Sequence, residues 1–102
     1  MAKVTWTFQA LEDLDAIAEY RSKYSEKYAS FLIDAIFEQT QILEAFPYSG
    51  RVVRELNLPS IRELVIQKYR VVYSVPDKSQ VHILTVRPSS FPLGEVPIEG
   101  AD

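Results

Sequence analysis

The chain has 102 residues, of which 47% are hydrophobic and 25% are charged, and it contains no cysteine. This composition is typical of one globular domain and excludes a disordered chain or a disulfide scaffold. No apolar run approaches the roughly 20 residues of a membrane span, and no secretory signal is recognisable, so we expect a cytoplasmic protein. Without thiolate ligands the sequence predicts no metal site, and we expect no cofactor.

The net charge of -3 is unevenly distributed along the chain. Residues 1–50 carry four basic and eight acidic residues, whereas residues 51–87 carry seven basic and three acidic ones. If the second segment forms a sheet, one face of that sheet can present a positive field to an anionic partner. The alternative is that these charges only solvate the surface.

The first half of the chain has helical periodicity after a short β-prone segment at residues 3–6. Thr7 and Ser25 are the hydroxyl N-caps expected before two helices, and Pro47 and Gly50 end the second helix. The apolar stripes of the two helices are predicted to contain Ala10, Leu14, Ile17, Ala29, Leu32, Ile33, Ile36, Thr40 and Leu43. Because the break between the helices is short, they should form an antiparallel hairpin.

The second half of the chain has the period of two that is typical of β-strands. Strands are expected at residues 51–56, 61–67, 68–75 and 80–86, with a turn at 76–79. Short connections favour an antiparallel meander. The sequence therefore predicts an α+β domain, in which a short N-terminal strand precedes a two-helix hairpin packed on an antiparallel sheet of about four strands.

The domain is expected to occupy residues 1–87. The remaining residues, 88–102, contain three prolines and two glycines, so we interpret them as an irregular C-terminal tail.

One permanent charge stands within the most apolar segment, IRELVIQKYRVVYSV, at residues 61–75. Strand alternation places Arg70 on the face of the sheet that the helices leave uncovered. The residues of the same strand that should meet the helices are Tyr69, Val71, Tyr73 and Val75. A guanidinium keeps its charge at physiological pH and presents five donors, so Arg70 is suited to bind phosphate or carboxylate.

Arg54 and Arg87 are candidate companions of Arg70 around a shared concavity. Whether they meet depends on strand register, which the sequence leaves open. The alternative is that Arg70 forms an internal ion pair with Glu63 or Glu55 and only ties the sheet together.

Four segments carry a resemblance to a known family: ALEDLDAIAEY (10–20), FPYSGRVVREL (46–56), IRELVIQKYRVVYSV (61–75) and HILTVR (82–87). They resemble the bacterial RelE/ParE toxin superfamily of type II toxin-antitoxin modules, over a stretch from about Val4 to Arg87. The resemblance implies a helical hairpin on an antiparallel sheet. It also implies a growth-inhibiting toxin that a cognate antitoxin wraps and holds inactive.

Two activities occur in this superfamily, because RelE-like members cleave mRNA in the ribosomal A site and ParE-like members poison DNA gyrase. By resemblance, Arg70 matches the sheet arginine of the family and Arg87 lies near a second one; both would be catalytic cations in a nuclease. Nuclease members usually have a histidine or tyrosine after the last strand, where this chain has PSSF at residues 88–91. We therefore expect a ParE-like gyrase inhibitor, with an mRNA endonuclease or an inactive relative acting as a binding protein as alternatives.

Two sets of side chains are candidate partner-binding residues. The candidates for the target or another anion are Arg54, Arg70, Arg87 and Phe91. The aromatic residues around the break between the helices are Tyr20, Tyr24, Tyr28 and Phe31. We expect most of this aromatic surface to pack between the helices and the remainder to bind an apolar segment of the antitoxin.

Overall fold

The computed structural model describes residues 1–90 and has an α+β architecture, as the sequence predicts. The elements are β1 (Lys3–Trp6), α1 (Phe8–Ser22), α2 (Glu26–Thr40), α3 (Ile42–Ala45), β2 (Arg51–Val52), β3 (Ile61–Ile66), β4 (Tyr69–Asp77) and β5 (Gln80–Pro88). The predicted tail lies outside the described residues from position 91 onward, and β5 includes Pro88. Within residues 1–90, no helix is both long and apolar enough to cross a membrane.

Both long helices begin at the predicted hydroxyl caps. The Thr7 side chain accepts a hydrogen bond from the backbone N–H of Ala10 at 3.2 Å, and the Ser25 side chain accepts one from Tyr28 at 3.0 Å. Each bond satisfies one of the backbone donors that a helix start leaves unpaired. Thr7 also donates its hydroxyl to the carbonyl of Ile83 at 2.8 Å, which fixes the start of α1 against β5.

The five strands form one sheet in the order β1-β5-β4-β3-β2. The four strands β2 to β5 pair antiparallel, as expected from their short connections. The N-terminal strand β1 forms the edge of the sheet opposite β2, where it pairs in parallel with β5. The two helices are part of the crossover that a parallel pair requires.

The main core lies between the helices and one face of the sheet. Its buried helical members are Ala10, Leu14, Leu32, Ile36 and Leu43, with Ile17 and Ile33 partly buried beside them. The members from β4 are Tyr69, Val71, Tyr73 and Val75, which confirms the predicted alternation. Arg70 therefore projects from the opposite face of the sheet.

We call this opposite face the far face. It is not open, because the connection between β2 and β3 covers part of it. The sequence predicts a strand over residues 51–56, but only the two residues of β2 pair with β3. The backbone N–H groups of Leu56 and Asn57 instead bond to the carbonyl of Val53, and the positive φ of Asn57, 51°, ends the extended conformation. A second core results, with Val53, Ile61, Val72 and Leu84 buried beneath Leu56 and Leu58.

A tight turn that the sequence does not reveal connects β3 to β4. Gln67 and Lys68 have φ values of 50° and 70°, so both turn residues are in the left-handed region. Two-residue hairpin turns of this kind favour Asn-Gly, because the twist of their backbone requires positive φ at both positions. The sequence places Gln67 and Lys68 in two adjoining strands, since neither residue is a turn signal.

Candidate functional site

Arg70 is buried at the centre of the far face, with 6% of its surface exposed. Its Nη1 and Nη2 atoms donate to the Glu55 carboxylate at 2.6 and 2.8 Å. Its Nε and Nη2 atoms donate to the two oxygens of Glu63, with an Nη2–Oε2 distance of 3.1 Å. The internal ion pair that the sequence leaves as an alternative is thus present, and it involves both glutamates.

These contacts further stabilise the charged form of the guanidinium. The hydrogen bonds that Arg70 donates to Glu55 and Glu63 raise the pKa of Arg70 above its ordinary value, although burial opposes this change. Charge-assisted pairs of this forked geometry are the strong ones among protein hydrogen bonds. Arg70 is therefore permanently charged and held in one orientation by two carboxylates.

Arg51 extends this arrangement to the edge of the sheet. It pairs in register with Glu63, and its Nε atom lies 3.0 Å from Glu63 Oε2. The Glu63 side chain is 2% exposed, whereas that of Arg51 is 69% exposed. We call the series Arg51, Glu63, Arg70 and Glu55 the ion-pair chain. The alternating signs allow Glu63 to be buried as a charge.

A cavity of about 350 Å³ lies over the ion-pair chain. Its lining residues are Arg51, Val52, Arg54, Glu55, Glu63, Arg70 and Ser89. The lining has three arginines and two glutamates, so the cavity is net positive. Arg51 and Arg54 are its exposed cations. The predicted proximity of Arg54 and Arg70 is thus present, and Arg51 is an additional cation that sequence reasoning missed.

Arg87 lies beside the cavity, on the neighbouring strand. It stands directly opposite Arg70 in the β4–β5 register, and its Nε atom donates to the Thr85 hydroxyl at 3.1 Å. Like charges that face each other across two strands repel. The carboxylates around Arg70 reduce this repulsion. Phe91, the remaining candidate, lies outside the described residues.

The usual acid–base side chains are missing from the lining of the cavity within the described residues. Among residues 1–90, no histidine, lysine or tyrosine is part of its lining. His82 precedes Arg87 by five positions on β5, a separation of about 16 Å at the usual strand rise. The same part of the chain contains no group of three or more His, Cys, Asp or Glu side chains that could hold a metal ion.

Gly50 fixes the position of β2 and therefore of Arg51. Its N–H donates to the Tyr73 hydroxyl at 2.8 Å, and a Cβ at this position would lie 2.5 Å from both that hydroxyl and the carbonyl oxygen of Glu63. Only glycine permits so close an approach. The FPYSGR motif thus has a steric explanation, because its glycine places Arg51 opposite Glu63.

The aromatic residues at the break between the helices form a surface patch. Tyr20, Tyr24, Tyr28 and Phe31 are 53%, 75%, 41% and 54% exposed. We call these four residues the hairpin-tip patch. The expectation that most of this surface packs between the helices is wrong, because each of the four side chains is at least 41% exposed.

Within the patch the rings contact one another rather than the core. The Tyr20 and Tyr24 rings meet edge to face at 5.5 Å, and those of Tyr28 and Phe31 lie 6.3 Å apart. Arg21 lies over the Tyr20 ring and donates its Nε–H to the hydroxyl of Tyr69 at 3.0 Å, which connects the patch to β4.

A two-helix hairpin packed on a five-stranded sheet is the fold expected of the RelE/ParE class of toxins. The family described as "ParE toxin of type II toxin-antitoxin system, parDE" matches residues 4–91, and the chain belongs to this family. Its members have a cognate antitoxin as partner.

Two relatives show how far the similarity extends. Toxin RelE2 of Caulobacter vibrioides is 35% identical over 88 residues, which is 85% of this chain and 94% of that toxin. A chain of the chromosomal ParDE TA system from P. aeruginosa matches with a TM-score of 0.72 at 24% identity, covering 86% of this chain and 96% of that one. At this level of identity the second match supports the fold alone.

Proposed function

We propose that this toxin acts in the cytoplasm by binding, as a ParE-like inhibitor of DNA gyrase. The observation that supports this proposal is the composition of the cavity beside Arg70. In-line RNA cleavage requires a base for the 2′-hydroxyl and an acid for the leaving oxygen. The carboxylates of the lining, Glu55 and Glu63, are already engaged by Arg70, and no histidine, lysine or tyrosine joins them among residues 1–90.

The cations around the cavity provide the binding surface. Arg51 and Arg54 are exposed, and Arg87 is half-buried beside them. In this proposal they contact the anionic surface of a gyrase–DNA complex, while Arg70 holds the scaffold that presents them. Contacts to phosphates release counterions, so inhibition should weaken as salt concentration rises.

An mRNA endonuclease is the second candidate function. Arg70 and Arg87 stand side by side in register, as two cations around a scissile phosphate would, and a 35% identical relative bears the name RelE2. Because the two candidates act on different molecules, one set of assays separates them.

The first experiment tests the target directly. Purified full-length toxin is added to gyrase and supercoiled plasmid, and linear DNA is measured after cleavage complexes are trapped. In parallel, mRNA ends are mapped in a translating extract. Gyrase-dependent DNA cleavage without new mRNA ends is the expected result. New mRNA ends without DNA cleavage would replace the gyrase proposal with the endonuclease, and no effect in either assay or on growth would indicate an inactive relative.

Matched arginine and lysine variants connect this activity to the cavity. Arg54→Ala removes an exposed cation of the cavity, whereas Lys78→Ala removes an exposed cation in the β4–β5 turn. Only the first should reduce DNA cleavage and flatten its dependence on salt. Equal effects of the two substitutions would show that general positive charge, rather than the cavity, drives binding.

We further propose that the cognate antitoxin covers the hairpin-tip patch. Apolar surface of this extent on a small domain marks a partner site, and aromatic side chains are frequent binding hot spots. Tyr24→Ser, at a position 75% exposed, should leave the fold intact and weaken antitoxin binding by about tenfold. Leu11→Ser on α1, 43% exposed, is the matched control. Unchanged affinity of the Tyr24 variant in isothermal titration calorimetry would remove the patch from the interface.

A further inference from the structure

Asp13 of α1 completes the edge of β5 where β1 ends. The β1–β5 ladder stops at the pair Trp6 and Ile83, because the chain then turns into α1. Beyond this point the N–H of Val86 faces an edge without a strand partner in the described part of the chain. The Asp13 Oδ2 atom accepts a hydrogen bond from it at 3.0 Å, so a side chain takes the place of the missing strand.

The same carboxylate determines how Thr85 faces Arg87. The Thr85 hydroxyl, on a residue 1% exposed, donates to Asp13 Oδ2, while Gln9 donates to Asp13 Oδ1 at 2.8 Å. A hydroxyl has one hydrogen to donate. Since Thr85 gives it to Asp13, its oxygen can only accept from the Nε–H of Arg87, 3.1 Å away.

This arrangement separates two neighbouring cations. Arg70 and Arg87 face each other in register, and like charges in this position repel. Glu55 and Glu63 hold Arg70 toward β3, whereas Asp13 and Thr85 hold the Nε side of Arg87 toward α1. The two guanidinium groups, which share one face of the sheet, are thus drawn toward opposite edges of it.

We propose that Asp13 and Thr85 are positioning residues, which orient the Arg87 guanidinium for contact with an anionic group of the target. The inference rests on the proposed function, because it uses Arg87 as a target-binding cation. Neither Asp13 nor Thr85 contacts the target. Their loss changes the orientation of Arg87 and leaves its charge intact.

The test uses three threonine variants of the full chain. Thr85→Val preserves the shape of the side chain but removes the hydroxyl, and Thr85→Ser restores the hydroxyl. Thr40→Val is the matched control, since Thr40 is also buried and donates its hydroxyl to the carbonyl of Phe37 at 2.9 Å. The first readout is the exchange of the Arg87 Nε–H proton with water, followed by NMR and assigned with Arg87→Lys. Exchange should accelerate in Thr85→Val alone.

The second readout is gyrase-dependent DNA cleavage, or growth inhibition if gyrase proves not to be the target. Thr85→Val should lower potency by about tenfold, the value of a hydrogen bond to a charged group, while Thr85→Ser and Thr40→Val retain it. In an Arg87→Ala background, Thr85→Val should cause no further loss. Unchanged proton exchange in Thr85→Val, or an equal loss in the Arg87→Ala background, overturns the inference. Failure of the gyrase assay alone overturns the proposed target and leaves the exchange measurement decisive for the positioning role.

Discussion

The two faces of the β-sheet are both buried, but by different means. Val71 and Val72 are adjacent on β4, point to opposite faces and are each 0% exposed. Val71 packs against aliphatic side chains of the helices, whereas Val72 lies with Ile61 in the second core, beneath an irregular connection. The far face also buries the charges of Arg70 and Glu63. The helix-covered face is therefore stabilised by the close packing of apolar side chains, whereas the far face also depends on the pairing of buried charges.

The largest expected effect tests this dependence on charge. Arg70→Met leaves the carboxylate of Glu63, with a side chain 2% exposed, without its main partner. Removing one member of a buried ion pair costs about 3–5 kcal/mol. Adding Glu63→Leu should recover most of this loss, because an apolar pair of similar volume often replaces a buried ion pair without penalty. Equilibrium unfolding in urea measures both changes.

The helix-covered face supplies the control for this prediction. Ile36→Ala creates a cavity in the main core and should cost about 3 kcal/mol. Glu63→Leu should not restore the stability of this variant, since the two sites share no charge. If Glu63→Leu fails to rescue Arg70→Met as well, charge balance is not what sustains the far face.

The next effect concerns Gly50, which fixes the position of the edge strand β2. Gly50→Ala places a Cβ within 2.5 Å of the Glu63 carbonyl, a backbone atom with little freedom to move. We expect a loss of about 2 kcal/mol in the free energy of unfolding, as for other overpacked sites. Repeating the substitution in a Tyr73→Phe background removes the clash with the hydroxyl only, so most of the loss should persist. A loss below about 0.5 kcal/mol, the range of ordinary surface changes, would contradict this steric explanation.

A smaller effect tests the polar tip of a residue in the main core. Tyr73→Phe removes the hydroxyl that accepts from Gly50 and should cost about 1 kcal/mol near neutral pH. Burial raises the pKa of Tyr73 above its ordinary value of 10.0, although the hydrogen bond from Gly50 opposes this change. The unfolded chain therefore loses this proton first, and stability falls as pH rises from about 10 toward the folded pKa.

Unfolding measured between about pH 9 and pH 11 should show this alkaline loss reduced in Tyr73→Phe. Tyr48→Phe alters a tyrosine that is 47% exposed and should retain it. The same alkaline slope in wild type and Tyr73→Phe would assign the loss to other groups.

The smallest expected effect is on a turn, outside both faces of the sheet. Lys68→Gly relieves a positive φ of 70° in the turn between β3 and β4, and should raise the free energy of unfolding by about 0.5 kcal/mol. Lys78→Gly, in the β4–β5 turn, is the matched control because φ of Lys78 is not positive. It should lower stability by about 0.5–1 kcal/mol. Thermal unfolding distinguishes the opposite signs, and a stabilising effect at both positions would exclude backbone strain as the cause.

The sequence predicts those parts of the fold that depend on local periodicity and capping. Thr7 and Ser25 cap the helices as expected, and strand alternation correctly assigns Arg70 to the far face. The connection over that face was not predictable, because β-branched residues such as Val53 favour the continuation of a strand. Its conformation depends on the apolar surface of Val72, which is a tertiary contact.

Part of the candidate site is likewise predictable from the sequence. The sequence names Glu55 and Glu63 as possible internal partners of Arg70, yet only the folded register shows that both are used. Asp13 carries no sequence signal for its role, since it resembles the other acids on the surface of α1. Its function depends on where β1 ends, and that is a property of the whole sheet.

The position of β5 in the sheet also governs when the fold can be completed during synthesis. β5 lies between β1 and β4, and the first strand finds its partners at residues 80–83. Until this segment emerges from the ribosome, β1 has no strand partner and Arg87 has no place beside Arg70. Pairing at such a separation along the chain is slow, because a long loop must close first. The nascent domain therefore remains incomplete until residue 88 has left the ribosome, and Arg70 and Arg87 come together only then.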